Sequence, residues 1–188
     1  MAVFIPELDE VRRAQAIVGG YTRSRLDVIA ARPGNPMGAE VRVFDGAVAL
    51  RAPGFPGTAF FNRAYGFSDA LIEAVPGVID WYKAGVGGTF ELAPGQPIAK
   101  TARLLAEAGY AQSDFHSTLV GPVGLPDEPA EGVEIARVEG AADLEAFSNV
   151  YHRGWGHTGF RIPMAPWLTA PGWSLYLARL NGEPAGAA

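Results

Sequence analysis

The chain has 188 residues, 48% of them hydrophobic and 19% charged, with a net charge of −5. That is the make-up of a folded protein with a core of its own, either one large domain or one and a half ordinary ones. The acidic balance excludes a nucleic-acid-binding face, since no basic run exists and Lys83 and Lys100 are the only lysines. The absence of cysteine excludes a disulfide framework, a thiolate metal site and a Cys nucleophile. The amino terminus turns acidic within a few residues, so it is no secretory signal. No apolar run approaches the ~20 residues that span a bilayer. The expectation is a cytoplasmic protein without a membrane or nucleic-acid partner.

Pro6-Glu7-Leu8-Asp9 opens a helix, with Pro in the first turn and acids where the helix dipole favours them. Leu8, Val11, Ala14, Gln15 and Val18 lie at helical spacing, and Gly19-Gly20 predicts its end. A second helix is predicted over Tyr21–Ala31, with Leu26, Ile29 and Ala30 as its apolar face. Residues 32–36, Arg-Pro-Gly-Asn-Pro, are a loop by turn chemistry. Two extended runs, Glu40–Phe44 and Ala47–Arg51, flank Asp45-Gly46, a strong hairpin signal. A Pro/Gly loop over Ala52–Gly57 leads into a predicted strand at Thr58–Tyr65.

Helical periodicity returns over Ser68–Ala74 and Gly77–Ala84, around Pro76. Gly88–Leu92 predicts a short strand, Pro97–Tyr110 a helix and Gln112–Val120 a strand. Gly121–Gly132, rich in Pro, Gly and acid, is the best linker. Beyond it come a strand at Val133–Val138, an amphipathic helix at Ala141–Tyr151 and an aromatic, Pro-rich segment at Gly154–Gly172. A strand at Trp173–Leu180, the turn pair Asn181-Gly182 and a returning strand at Pro184–Ala188 complete the reading. Each half holds helical segments followed by a hairpin, a long-range echo of the kind a duplication leaves.

The run PIAKTARLLAEAGY at Pro97–Tyr110 and its following strand resemble the acceptor-proximal helix and strand of the GNAT acetyltransferase superfamily. Gly132–Ala188, with VEIARV, a helix after Gly140-Ala141-Ala142-Asp143 and then LYLARLNGEPAGAA, resembles the opening of a second such domain. The resemblance implies an α+β (mixed α/β) fold, a central mixed sheet flanked by helices. It implies a degenerate first copy at 1–121, a linker at 122–131 and the amino-terminal part of a second copy at 132–188. The implied activity is amine N-acetylation with acetyl-CoA as co-substrate, a small-molecule amine as acceptor and no metal.

Two departures matter. The family places a Tyr acid four residues before the helix-ending Gly, where this chain has Leu105. The family holds the acetyl-CoA pyrophosphate on a Gln/Arg-x-x-Gly-x-Gly/Ala loop between a strand and a helix. There, backbone N–H groups at the helix start face the anion. The matching place here is Gly66-Phe67-Ser68-Asp69-Ala70, which lacks the Gly-x-Gly and brings the carboxylate of Asp69. The first copy is therefore expected to be non-catalytic. In the second copy the loop and the acid would fall beyond Ala188, which leads to the expectation of a longer enzyme. No catalytic or cofactor-binding residue can be assigned. A central strand left at Pro184–Ala188 would expose an unpaired sheet edge, so a sticky or oligomeric chain, such as a homodimer, is expected.

Trp155, His157, Phe160 and Trp167 are the candidate substrate-binding residues, because the loop after the first helix of a GNAT domain lines the acceptor pocket. Aromatic residues serve cores and pockets alike, so a packing role stands beside this one. His152 and His157, five residues apart and without a carboxylate cluster, do not form a metal site. His116 reads first as a structural imidazole. Glu91 is placed to act as a base through a water, yet without the acid and phosphate loop a solvated or hydrogen-bonded role is favoured. Ser113, Ser117 and Ser148 lack a nucleophile elbow, and Gly85–Gly88 precedes a strand where a phosphate loop follows one. Two alternatives stay open. The chain is a non-catalytic ligand-binding or interaction module that reuses the fold, or Gly132–Ala188 completes the first sheet.

Overall fold

In the computed structural model, which describes residues 7–56, 58–93, 95–118, 130–156 and 161–188, the first half of the chain is organised by one long helix, α1 (Leu8–Ala30). The break expected at Gly19-Gly20 is absent. Two helical glycines cost ~1 kcal/mol each relative to alanine, while fully burying Leu26 and Ile29 gives ~1.5–3 kcal/mol each. Packing therefore carries the helix through the glycines. Gly19 also has a positive use, because a Cβ there would lie 3.2 Å from Tyr65 Cβ and 3.2 Å from Val48 Cγ1. The missing side chain lets the helix backbone rest on the sheet. At the start of α1 the Glu7 N–H donates to Glu10 Oε2 (2.9 Å), satisfying one of the amides a helix leaves open.

The sheet beneath α1 has four strands in the order β1 (Glu40–Phe44), β2 (Ala47–Arg51), β3 (Arg63–Tyr65) and β4 (Thr89–Glu91). β1–β2 and β2–β3 are antiparallel, and β3–β4 is parallel. A parallel pair needs a crossover. It is made by a 3-10 turn at Asp69–Ala74 and helix α2 (Val75–Lys83), with Pro76 in the first turn of the helix, where its missing N–H is harmless. Helix α3 (Ala99–Glu107) follows β4. Strand alternation puts Val48 and Tyr65 on the α1 face. Ala47, Ala49, Ala64 and Phe90 face the other way and pack with Val75, Val78, Ile79, Tyr82 and Leu105 of α2 and α3. Arg51 ties the edge of the sheet to α2, donating to Trp81 O (2.6 Å) and to Glu40 Oε1 (2.6 Å).

Two predicted strands are corrected. Over Thr58–Tyr65, a 3-10 turn at Ala59–Phe61 takes the first residues and only Arg63–Tyr65 joins the sheet. The buried Asn62 is the reason. Its side chain accepts from Ala52 N–H (2.9 Å) and donates to Phe55 O (3.0 Å) and Thr58 O (3.1 Å), so the loop backbone is satisfied without a ladder. Over Gln112–Val120, residues 111–118 form no strand, and 119–120 lie outside the described residues. Phe115 is 87% exposed and its N–H turns back to Asp114 Oδ1 (2.8 Å). Alternation yields a strand only where an edge is there to pair and a face to bury.

The chain divides into two compact units, Met1–Gly121 and Pro122–Ala188. In the second, β5 (Val133–Arg137), β6 (Tyr176–Leu180) and β7 (Glu183–Ala187) form an antiparallel sheet of their own and do not complete the first. Helix α4 (Ala141–Gly154) accompanies this sheet, and Asp143 accepts from Arg179 of β6 at 2.7 Å. Asn181 (φ 51) and Gly182 (φ 83) are both left-handed, as a type I′ turn requires. Phe147, Val150, Ile162, Met164, Trp167, Leu175 and Leu177 are buried. Among the described residues no helix is long and apolar enough to cross a membrane.

The contact at Gly19 separates two neighbouring glycines by experiment. Gly19→Val should destabilise by ~1–3 kcal/mol through overpacking against Tyr65 and Val48. Gly20→Ala, whose Cβ meets nothing within 4 Å, should stabilise by ~0.5–1 kcal/mol. Urea midpoints of the two variants check the pair, and a loss of equal size in both would refute the close approach.

Candidate functional site

The second unit holds the four residues named from the sequence. Trp155 sits at the carboxyl end of α4, 68% exposed and 6.3 Å from the ring of Tyr151. Trp167 lies in a 3-10 turn at Ala165–Leu168, 2% exposed, with its ring 6.2 Å from Trp173. Its indole N–H is buried without a hydrogen-bond partner among the described residues. His157 and Phe160 lie outside the described residues. One tryptophan is thus on the surface and the other is core. His152 is buried, and its Nδ1 lies 2.6 Å from Ser148 O while Nε2 accepts from Ile162 N–H (2.8 Å). Nδ1 must then carry the proton, so this imidazole is a neutral, bonded strut between α4 and the chain entering the Trp167 turn.

The first unit presents the more telling geometry, at the carboxyl end of β3. Gly66 has φ +79, and a Cβ there would stand 2.5 Å from Gly46 O, so only glycine lets the chain leave β3 beside the hairpin turn. Three residues on, the Asp69 carboxylate accepts from Thr101 N–H (2.8 Å), Lys100 N–H (3.2 Å) and the Thr101 hydroxyl (3.1 Å). The backbone of Asp69 also donates to Pro97 O at 2.7 Å. Asp69 therefore caps α3 from across the fold. Two of the open amides at the start of α3, those of Lys100 and Thr101, thus hold this carboxylate in place of an external anion. Desolvation alone would raise the Asp69 carboxyl, but the bonds from Thr101 and Lys100 outweigh it and hold the group below its ordinary value.

A sequence signal for this cap exists. The residues at the start of α3, Pro97 and Ile98, supply no capping side chain, so its amides needed a partner from elsewhere. Leu105, where the resemblance implies a Tyr acid, is 6% exposed and packs in the core. Tyr110, half-buried, has its hydroxyl pushed up by desolvation.

A polar cluster lies on the α1 face of the parallel pair. Arg63 of β3 donates to Glu91 Oε2 (3.2 Å) and Thr89 Oγ1 (3.2 Å) of β4, and the same Nη1 lies 3.2 Å from His116 Nε2. Register makes this necessary: Arg63 pairs with Thr89 and Tyr65 with Glu91, so all four side chains emerge on one face. Glu91 is neutralised by a guanidinium with little exposure of its own. It is placed as a clamp on Arg63 rather than as a free base. Burial pushes the neighbouring Tyr65 hydroxyl up, so it stays protonated.

One other stretch fits the letters of the phosphate loop, Arg137-Val138-Glu139-Gly140-Ala141-Ala142, between β5 and α4. Gly140 caps α4 without a side chain, which leaves first-turn amides open. Glu139 and Asp143 flank them, and acid on both sides of a helix start disfavours a phosphate. Comparison with known proteins finds no family model, no curated protein and no solved structure that matches the chain.

The Asp69 cap has a pH signature. Because the folded carboxyl is held below the ordinary 3.8, its contribution is fully present above that value and fades as pH falls through the lowered one. Asp69→Asn should lower the urea midpoint at neutral pH and reduce its acid dependence between about pH 5 and pH 2. An unchanged acid slope would show that the cap carries no stability.

Proposed function

We propose that this chain is part of a GNAT-type N-acetyltransferase, in which residues 1–121 form a non-catalytic copy of the fold. The observation that carries the reading is the mixed four-stranded sheet. Antiparallel strands end in the parallel β3–β4 pair, with α1 on one face and α2 and α3 on the other. A strand-to-helix loop at the carboxyl end of β3 sits where the resemblance puts the pyrophosphate. The Asp69 carboxylate on the α3 amides and Leu105 in the core support the non-catalytic assignment.

On this reading the acetyl-CoA loop and the acid lie outside residues 1–188, and acetyl-CoA is the co-substrate. A base frees an ammonium to the amine, the amine attacks the thioester carbonyl, and the C–S bond breaks to release coenzyme A as the thiol while the amide forms. Trp155, with His157 and Phe160 of the same segment, is offered to a small-molecule amine in a cytoplasmic setting. Trp167, buried against Trp173, is a core residue of the same unit. The same two features of the first unit also favour a second reading, a non-catalytic ligand-binding module.

A thiol reagent, read against a blank without amine, reports the coenzyme A set free. The protein isolated from its native locus, given acetyl-CoA and a panel of primary amines, should show amine-dependent thiol release. The 188-residue chain alone should show none. No release from the native protein with any amine would transfer the assignment to the binding module.

A further inference from the structure

We infer that the second unit docks a second copy of this chain on the outer face of its sheet, the two faces stacking about a two-fold axis. An antiparallel sheet with one face packed and one in water alternates apolar inward and polar outward. β5 and β6 depart from that rule. Leu177 is buried on the α4 side, where Arg179 also reaches Asp143, and Glu134, the register partner of Arg179, shares that side. The side away from α4 carries Val133 and Ile135 of β5 and Tyr176, Ala178 and Leu180 of β6. Ile135 is 64% exposed, Leu180 49% and Tyr176 44%. Register sets Val133 opposite Leu180, Ile135 opposite Ala178 and Arg137 opposite Tyr176, so the apolar side chains are contiguous. A contiguous apolar patch left open to water marks an interaction surface.

The chemistry of this face points to a second copy as its occupant. Its middle is flat, since Ala178 lies opposite Gly186 of β7, where a Cβ would stand 3.2 Å from Ala178 Cβ. A flat face suits another sheet stacked ~10 Å away. The three strands hold four charged residues. Glu134 and Arg179 lie on the α4 side, while Arg137 and Glu183 border the apolar patch. Those two occupy diagonally opposite corners, because β5 and β7 flank β6, Arg137 pairs beside Tyr176 and Glu183 pairs beside Leu180. Sheets stack either nearly aligned or near a right angle. In a right-angled pair, a two-fold axis along the diagonal lays each Arg137 over the Glu183 of the other copy. The face is thus complementary to itself in charge as well as in shape.

Strand addition at the edge is the other route open to a second copy, and the sheet resists it. Pro184 and a register shift beside Ala178 and Arg179 interrupt β7, both of which blunt an edge. Strands five residues long and ~4.8 Å apart make a small face. The pair therefore belongs with the weak, transient interfaces that bury less than ~1,200 Å² in all. The inference does not rest on acetyl transfer.

Sedimentation velocity of the 188-residue chain and of the protein from its native locus tests it. Both should pass from one copy to two as concentration rises, with a dissociation constant on the order of 100 µM for the 188-residue chain. Ile135→Lys, at an exposed strand position, should weaken association roughly tenfold or more without loss of the far-UV circular dichroism. Arg137→Glu and Glu183→Arg should each weaken it several-fold, and the double variant, which restores opposite charges across the pair, should regain most of the loss. The charge variants keep the test decisive should the Ile135 variant unfold. Single copies at every concentration overturn the inference, as does a double variant no better than the single ones. Association of the 188-residue chain, with the native-locus protein remaining a single copy, would overturn it too and give the face to another part of that protein.

Discussion

The Asp69 carboxylate joins the two parts of the first unit that chain order keeps apart. It sits just past β3, yet it completes the start of α3, which comes only after α2 and β4 have been laid down. A helix start must satisfy its open amides with something. Here the partner is a side chain fixed in the crossover, so the position of α3 is tied to the end of β3. With α3 held there, Leu105 points into the core between helices and sheet, beside Val75, Val78 and Tyr82. The same contact takes the Lys100 and Thr101 amides at the start of α3, which would otherwise face an external anion.

Around that cap the fold uses two other devices to bring polar backbone and apolar surface together. Gly19 lets α1 lie directly on Tyr65 and Val48, which makes the α1 face of the sheet shallow and continuous. Tyr82 does the converse on the other face. Its ring fills the space that a side chain at Gly88 would occupy, and its hydroxyl donates to Leu50 O at 3.0 Å. Burial drives that phenol far above its ordinary range, so it remains a donor at any physiological pH. The Arg63–Glu91 pair is the polar seam between the parallel strands, neutral as a unit and reached by His116 from the chain after α3.

The elements legible in the sequence were those whose signals are local. Asp45-Gly46 and Asn181-Gly182 each gave a hairpin, because two turn residues between β-type runs leave few alternatives. The helices beginning at Ala99 and Ala141 carried their periodicity within one segment. What was not legible depends on partners distant in sequence. Gly19-Gly20 reads as a stop until Tyr65 is known to lie beneath it. Thr58–Phe61 reads as strand until Asn62 is seen to satisfy the loop. Gln112–Thr118 alternates like a strand but finds no edge. At the candidate site, Asp69 reads in sequence only as the wrong charge for a phosphate, and the cap that explains it spans 32 residues to Thr101. Trp167 and Trp155 looked alike in sequence, and only packing separates the core residue from the exposed one.

On the proposed reading the Asp69 carboxylate takes the anion position of the first unit, and that unit does not hold acetyl-CoA. Calorimetric titration of the 188-residue chain with acetyl-CoA tests it most directly. The account predicts no saturable heat with the chain as it stands. A stoichiometric complex with acetyl-CoA would contradict that reading, because a phosphate would then have found donors that the Asp69 cap leaves open.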